Sequence, residues 1–282
     1  MERIDSHQHF WHYNRKDYGW MDDQMATIRR DFLPPDLEKE LKNQGFDGCI
    51  AVQARQSVEE TEWLLGLAGQ YSFVRGVVGW VDLRSANLEQ QLDQYSQHPK
   101  FVGVRHVLHD EPDIGFMLKD DFLKGIATLQ KYGLTYDLLI FPRHLPNALT
   151  LVKMFPEQRF ILDHIAKPLI RDQVISPWKE DLESLAAQPN VYCKVSGMVT
   201  EADWHRWNPA DFTPFLDVVF RAFGTDRIMF GSDWPVCTVV ASYSQVVGIV
   251  KNYLAAWPQS EYRKIMGENA IKAYGLNNHR GE

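Results

Sequence analysis

Eight short apolar runs rich in β-branched residues, separated by segments of helical periodicity, constrain this chain more than any other feature. The runs are Arg3–His9, Gly48–Ala54, Val74–Leu83, Phe101–Leu108, Thr135–Phe141, Arg159–Ile165, Val191–Gly197 and Arg227–Phe230. Between them, Pro34 and Pro35 open a helix through about Asn43. Ser57 with Glu60 forms a capping-box pattern ahead of a helix carrying Trp63, Leu64, Leu67 and Ala68 on one face. Further helical patterns cover Ala86–Ser96, Asp121–Tyr132 (stopped by Gly133), Leu145–Phe155, Phe212–Phe223, Ser242–Ala256 and Ser260–Tyr274. Two Trp-rich stretches, Trp11–Phe32 and Met198–Pro209, show no clear period. Eight parallel strands with crossovers make an α/β fold, a single distorted (β/α)8 TIM-type barrel with extra C-terminal helices. With no internal repeat and no linker rich in Pro, Gly or Ser, residues 1–282 read as one domain.

A barrel of this kind places its chemistry at the C-terminal ends of the strands. Polar residues gather there: His7, His9, Gln53, Asp82, Arg105, His106, His164, Lys194, Ser196 and Asp233. His7 and His9 are two apart in a strand, so they face one side and can converge on a metal ion or a proton. Alone, such a pair is equally at home on a solvated surface or in a satisfied core. Asp233 follows a Gly-Ser turn and precedes Trp234 and Pro235, which favours a carboxylate shielded from water, although a loop or capping aspartate has the same local sequence.

Composition narrows the partners. The net charge of −7, with no basic stripe, argues against nucleic acid. Cys49, Cys193 and Cys237 have no metal-type spacing and lie in or beside apolar runs, as expected of buried thiols in a cytoplasmic protein. No basic-then-apolar leader and no membrane-length apolar run is visible. Barrels of this kind can form homodimers through their outer helices, but no patch in the sequence selects an oligomeric state.

Five ordered motifs resemble one family. DSHQHFW near the start, GVRH at Gly103–His106, DHIAKP at Asp163–Pro168, KVSG at Lys194–Gly197 and FGSDWPV at Phe230–Val236 are similar to the lactonase branch of the amidohydrolase superfamily. That branch includes sugar-lactone hydrolases and the pyrone-dicarboxylate hydrolase. The resemblance implies His7 and His9 on strand one, His164 on strand six and Asp233 on strand eight as catalytic residues. Those four imply ligands for one divalent ion, zinc by ligand type, or hydrogen-bond donors in a metal-free site. The fifth run has no histidine and the fourth has no obvious bridging lysine or glutamate, so a two-metal centre is not expected.

The implied reaction is opening of a sugar lactone by water, with Asp233 moving the proton and the metal or the histidines polarising the carbonyl. Arg105 is expected to orient the substrate, with Gln53, His106, Lys194, Trp80 and Trp234 as further substrate contacts; a strand-end salt bridge is the other reading of Lys194 and, with less support, of Arg105. Aromatic walls are expected from Trp11, Trp20, Trp80, Trp204, Trp207 and Trp234, and Trp63 is expected in the core. A neutral aldonolactone of fuconate or rhamnonate type fits the polar rim, while Arg143 leaves room for a carboxylated one. The alternatives are a decarboxylase or hydratase of an aromatic or unsaturated acid in the same superfamily, and a non-catalytic binder of a carbohydrate acid. The decarboxylase motif His-x-Gly-Glu is absent after His164.

Overall fold

The computed structural model describes residues 2–276. Its eight strands are β1 Ile4–Gln8, β2 Gly48–Val52, β3 Val74–Gly79, β4 Phe101–His106, β5 Thr135–Leu138, β6 Phe160–Leu162, β7 Val191–Val195 and β8 Ile228–Phe230. They pair in parallel in sequence order. The circle is drawn together between β8 and β1 by a parallel bridge of Gln8 with Trp234. Side chains complete that seam: Ser232 N–H donates to Asp5 Oδ1 at 2.8 Å, and Ser6 Oγ donates to the Phe230 carbonyl at 2.6 Å. The expected (β/α)8 barrel is therefore present, with strands shorter than the apolar runs because the last residues of most runs turn out into loops.

The outer helices are α1 Pro34–Gln44, α2 Val58–Gln70, α3 Leu88–Tyr95, α4 Asp120–Lys131, α5 Leu145–Met154, α6 Trp178–Ala186, α7 Thr213–Phe223 and α8 Tyr243–Tyr253. Their apolar faces pack on the outer face of the strands in one extensive core. Trp63 packs against that core half-buried rather than within it. Helix α6, which no sequence pattern marked, buries Trp178, Leu182 and Leu185. The expected closing helix is broken in two: α9 Gln259–Arg263 and α10 Asn269–Tyr274 flank a wider turn at Lys264–Glu268. Gly267 in that turn lies so close to the Glu2 carbonyl that a Cβ would sit 2.1 Å from it. The turn thus steers α10 across the bottom of the barrel, where Ala270, Ala273 and Tyr274 join Ile4, Ile50, Val52, Val78, Ile161 and Met229 in the interior. No helix among the described residues is long and apolar enough to cross a membrane.

The Ser57–Glu60 pattern works differently at its two ends. Ser57 Oγ caps α2 by accepting from Glu60 N–H at 3.1 Å, but the Glu60 carboxylate turns away to accept from Ala54 and Arg55 N–H at 3.0 and 2.9 Å. Burial pushes this carboxyl up to about 7, against those two bonds, which pull it down. The unfolded group titrates near 4.5. The native state therefore holds the proton more tightly, and stability falls as pH rises between these values, by roughly 3 kcal/mol in all. Urea unfolding at about pH 4.5 and about pH 8 should show wild type losing roughly that much relative to Glu60→Gln. A difference between the two proteins that does not change with pH contradicts the assignment.

Candidate active site

The end of β1 is where the strand pattern is reset. Ile4 points into the barrel and Asp5 points out to Tyr243 Oη, 3.1 Å away. Strict alternation would then send His7 outward. The pairing with β2 slips between Asp5 and Gln8, which is the signature of a β-bulge, and the extra residue turns His7 and His9 into the barrel mouth while Gln8 faces Cys49. Asp233 arrives from the other side of the seam, its N–H bonded to the His7 carbonyl at 2.8 Å. It adopts φ 58°, a left-handed conformation that Asp tolerates better than most residues.

His164 follows β6 in the same left-handed region, at φ 54°. Its Nδ1 lies 2.8 Å from Ser196 Oγ, and Gly197 passes so close that a Cβ there would meet Nδ1 at 2.5 Å. A glycine is required at that position both for contact and for its φ of 59°.

These residues converge. Asp233 Oδ1 is 3.4 Å from His9 Nε2, 3.8 Å from His7 Nε2 and 3.9 Å from His164 Nε2, and the two Nε2 atoms of His7 and His9 are 3.2 Å apart. Ligands about 2.1 Å from one tetrahedral ion are separated by about 3.4 Å, so the spacing suits a single small cation. His7, His164 and Asp233 can each direct one ligand atom to a common point, all three being buried. Imidazole nitrogens with one carboxylate oxygen form a donor set suited to zinc. His9 Nδ1 is fixed by the Val52 carbonyl at 2.8 Å, which leaves its Nε2 turned toward the group. Burial drives the His7 and His164 imidazoles well below their ordinary titration range, so both are neutral at neutral pH, as ligands must be. Burial raises Asp233, but His164 and His9 outweigh it, and the carboxylate is ionised.

Beneath this group lies a buried layer of charge. Lys194 Nζ contacts Asp137 Oδ2 at 2.6 Å, Asp163 Oδ1 at 3.0 Å and His7 Nδ1 at 3.2 Å. Arg105 Nη1 contacts Asp163 Oδ2 at 3.0 Å and His7 Nε2 at 3.3 Å. From below, Tyr274 Oη donates to Asp137 Oδ2 at 2.7 Å, so α10 is tied to the same network. Burial raises Asp163, but Lys194, His7 and Arg105 prevail and hold it well below the usual carboxylate range; for Asp137 burial prevails and its carboxyl is raised. Asp163 is the residue that sequence reasoning passed over. Its position immediately before His164, at the end of an apolar strand, was the available signal.

Above the group opens a cleft of about 330 Å³ whose lining includes His9, Arg105, His109, Asp110, His164, Lys167, Glu201 and Asp233, with Trp20 and Trp204 among its apolar walls. The other sequence candidates stand elsewhere. Gln53 is buried and donates to the Arg105 carbonyl at 3.3 Å, while its own carbonyl accepts from Arg105. Lys194 is wholly buried under the cleft. His106 turns toward Glu111, 2.7 Å away, and receives the Trp80 indole N–H at 3.3 Å, so neither of that pair lines the cleft. Trp234 packs on Phe10 and Phe32 behind the Asp233 turn, Trp11 is buried with its N–H on the Arg30 carbonyl, and Trp207 packs on Phe212. Arg143 reaches the His109 carbonyl at 3.4 Å and is outside the lining.

Known proteins bear on this geometry. The chain is 39% identical to the L-fucono-1,5-lactonase of Burkholderia multivorans, covering 97% of this chain and 96% of that protein. It is 36% identical to the L-fucono-1,5-lactonase of Burkholderia ambifaria, covering 98% and 93% respectively. A crystal structure of an amidohydrolase from Burkholderia multivorans with bound zinc superposes with a TM-score of 0.94 at 39% identity, covering 98% of this chain and all of that one. A family model described as Amidohydrolase matches residues 4–276, and the chain belongs to that family.

Proposed function

We propose that this chain hydrolyses a sugar lactone, with Asp233 as the group that moves the proton. The observation that carries the reading is the placement of one ionised carboxylate oxygen within 3.4–3.9 Å of three imidazole Nε2 atoms at the cleft. The two L-fucono-1,5-lactonases among its relatives support a neutral sugar lactone as substrate.

His7, His164 and Asp233, with His9 beside them, would hold one divalent ion, zinc by donor type; bound there, it polarises the carbonyl and lowers the pKa of water. The chain's own residues do the rest. Asp233 accepts a proton from the attacking water as oxygen adds to the ring carbonyl carbon. The Arg105 guanidinium, beside His7, stabilises negative charge on the carbonyl oxygen. When the ring C–O bond breaks, Asp233 returns the proton to the leaving alkoxide, and a hydroxy acid departs. Trp20 and Trp204 cover the apolar face of the sugar.

Acid release in a weakly buffered indicator assay, across aldonolactones of both ring sizes, tests the reading. Saturable acidification by a neutral sugar lactone is expected. Silence on all lactones, together with CO2 release from hydroxybenzoates, would replace it by the decarboxylase alternative.

A further inference from the structure

We infer that Lys167 and Glu201 form a clamp that reads substrate hydroxyls and selects uncharged polyhydroxylated lactones over carboxylated ones; this rests on the lactonase reading above. Four consecutive non-glycine residues, His164, Ile165, Ala166 and Lys167, hold φ of 54°, 48°, 62° and 50°. Left-handed backbone costs about 1–2 kcal/mol per L-residue, and one of the four is β-branched. Strain on this scale survives where the surroundings impose it, and here the Trp178 indole N–H bonded to the Ile165 carbonyl at 2.8 Å and the Lys167 N–H bonded to the His164 carbonyl at 2.8 Å do so. Both ends of the strained turn, His164 and Lys167, line the cleft. The first is accounted for by the imidazole group, while the second contributes only its charge there, which helps to hold Asp233 ionised.

Lys167 Nζ meets Glu201 Oε1 at 2.9 Å across the cleft wall. Their side chains keep 17% and 20% exposure, whereas Arg105 keeps 4%. An ammonium has three N–H groups and a carboxylate about four lone-pair positions, so the pair retains donors and acceptors for two neighbouring hydroxyls. It has no spare charge. Neither cation lining the cleft is left for a ligand carboxylate, since Arg105 faces Asp163 and, in the reaction above, the carbonyl oxygen, and Lys167 faces Glu201; three carboxylates, Asp110, Glu201 and Asp233, share the lining. A carboxylated ligand would have to break an ion pair or lie unpaired beside these acids, a repulsive element that gives specificity.

The test compares wild type, Glu201→Gln and Lys167→Met on three lactones: a neutral aldono-1,5-lactone, a carboxylated one derived from an aldaric acid, and δ-valerolactone, which has no hydroxyls. Glu201→Gln, nearly isosteric, frees the ammonium, and the ratio of kcat/KM for the carboxylated over the neutral lactone should rise at least about tenfold. Lys167→Met should raise KM for the neutral aldonolactone, its loss in kcat/KM exceeding that on δ-valerolactone by about tenfold or more. An unmoved ratio in Glu201→Gln, or equal losses on hydroxylated and bare lactones in Lys167→Met, overturns the clamp while leaving lactone hydrolysis standing. Wild type inactive on every lactone instead removes the lactonase reading, and the clamp with it.

Discussion

Asp233→Asn is expected to lower kcat for a sugar lactone by about 10²- to 10⁴-fold, the range that a positioned acid–base group contributes. Asn keeps the shape of the side chain and tolerates the left-handed backbone at this position, where φ is 58°. The N–H bond to the His7 carbonyl at 2.8 Å is a backbone contact and is unaffected. Thermal unfolding should therefore differ little from wild type, which separates chemistry from stability. Turnover within about tenfold of wild type would remove Asp233 from the proton-moving role.

The largest loss of stability is expected at Lys194. Its ammonium is fully buried between two carboxylates, and Lys194→Met leaves Asp137 and Asp163 facing each other without the cation. Breaking a buried ion pair from one side costs about 3–5 kcal/mol, because the remaining charge is stranded away from water. Tyr274→Phe removes only the 2.7 Å bond to Asp137 and should cost about 1–3 kcal/mol. Urea unfolding of the two variants reads both numbers. A Lys194→Met variant within about 1 kcal/mol of wild type would mean that the buried network does not hold the barrel centre together.

Much of this architecture was legible because a parallel barrel repeats one signal. Each strand is an apolar run and each crossover an amphipathic helix, so Gly48–Ala54 and Val191–Gly197 announced β2 and β7 within two residues of their observed ends. The strand ends were overrun where apolar residues continue into loops, as at Val81 and Leu83, which are buried without being in β3. The closing helix was split because a contact distant in sequence, Gly267 against Glu2, decides its path.

At the site, His7, His9, His164 and Asp233 come together, yet the reason they do was not readable. Alternation alone would not place both Ile4 and His7 inside the barrel; the bulge between Asp5 and Gln8 does, and a one-residue slip leaves no mark in composition. Lys194 at its strand end has two readings in the sequence, a substrate contact and a salt bridge, and the sequence does not name the partners. Here Asp137 and Asp163, on β5 and immediately after β6, hold it in the interior, and that pairing joins positions 57 and 31 residues away along the chain. Lys167 stands in the DHIAKP motif, but its partner Glu201 ends a short 3₁₀ turn, Val199–Glu201, where no periodicity indicates which side chains meet.

A single turnover of a neutral sugar lactone in water enriched in ¹⁸O, followed by mass analysis of the product and of the peptide carrying Asp233, shows which bond breaks and which oxygen attacks. Attack of an Asp233-activated water on the ring carbonyl predicts one labelled oxygen in the product carboxylate and none in the released hydroxyl or in the peptide. Label in the Asp233 side chain would make it a nucleophile, and label in the hydroxyl would place cleavage at the other ring bond; either result contradicts the mechanism.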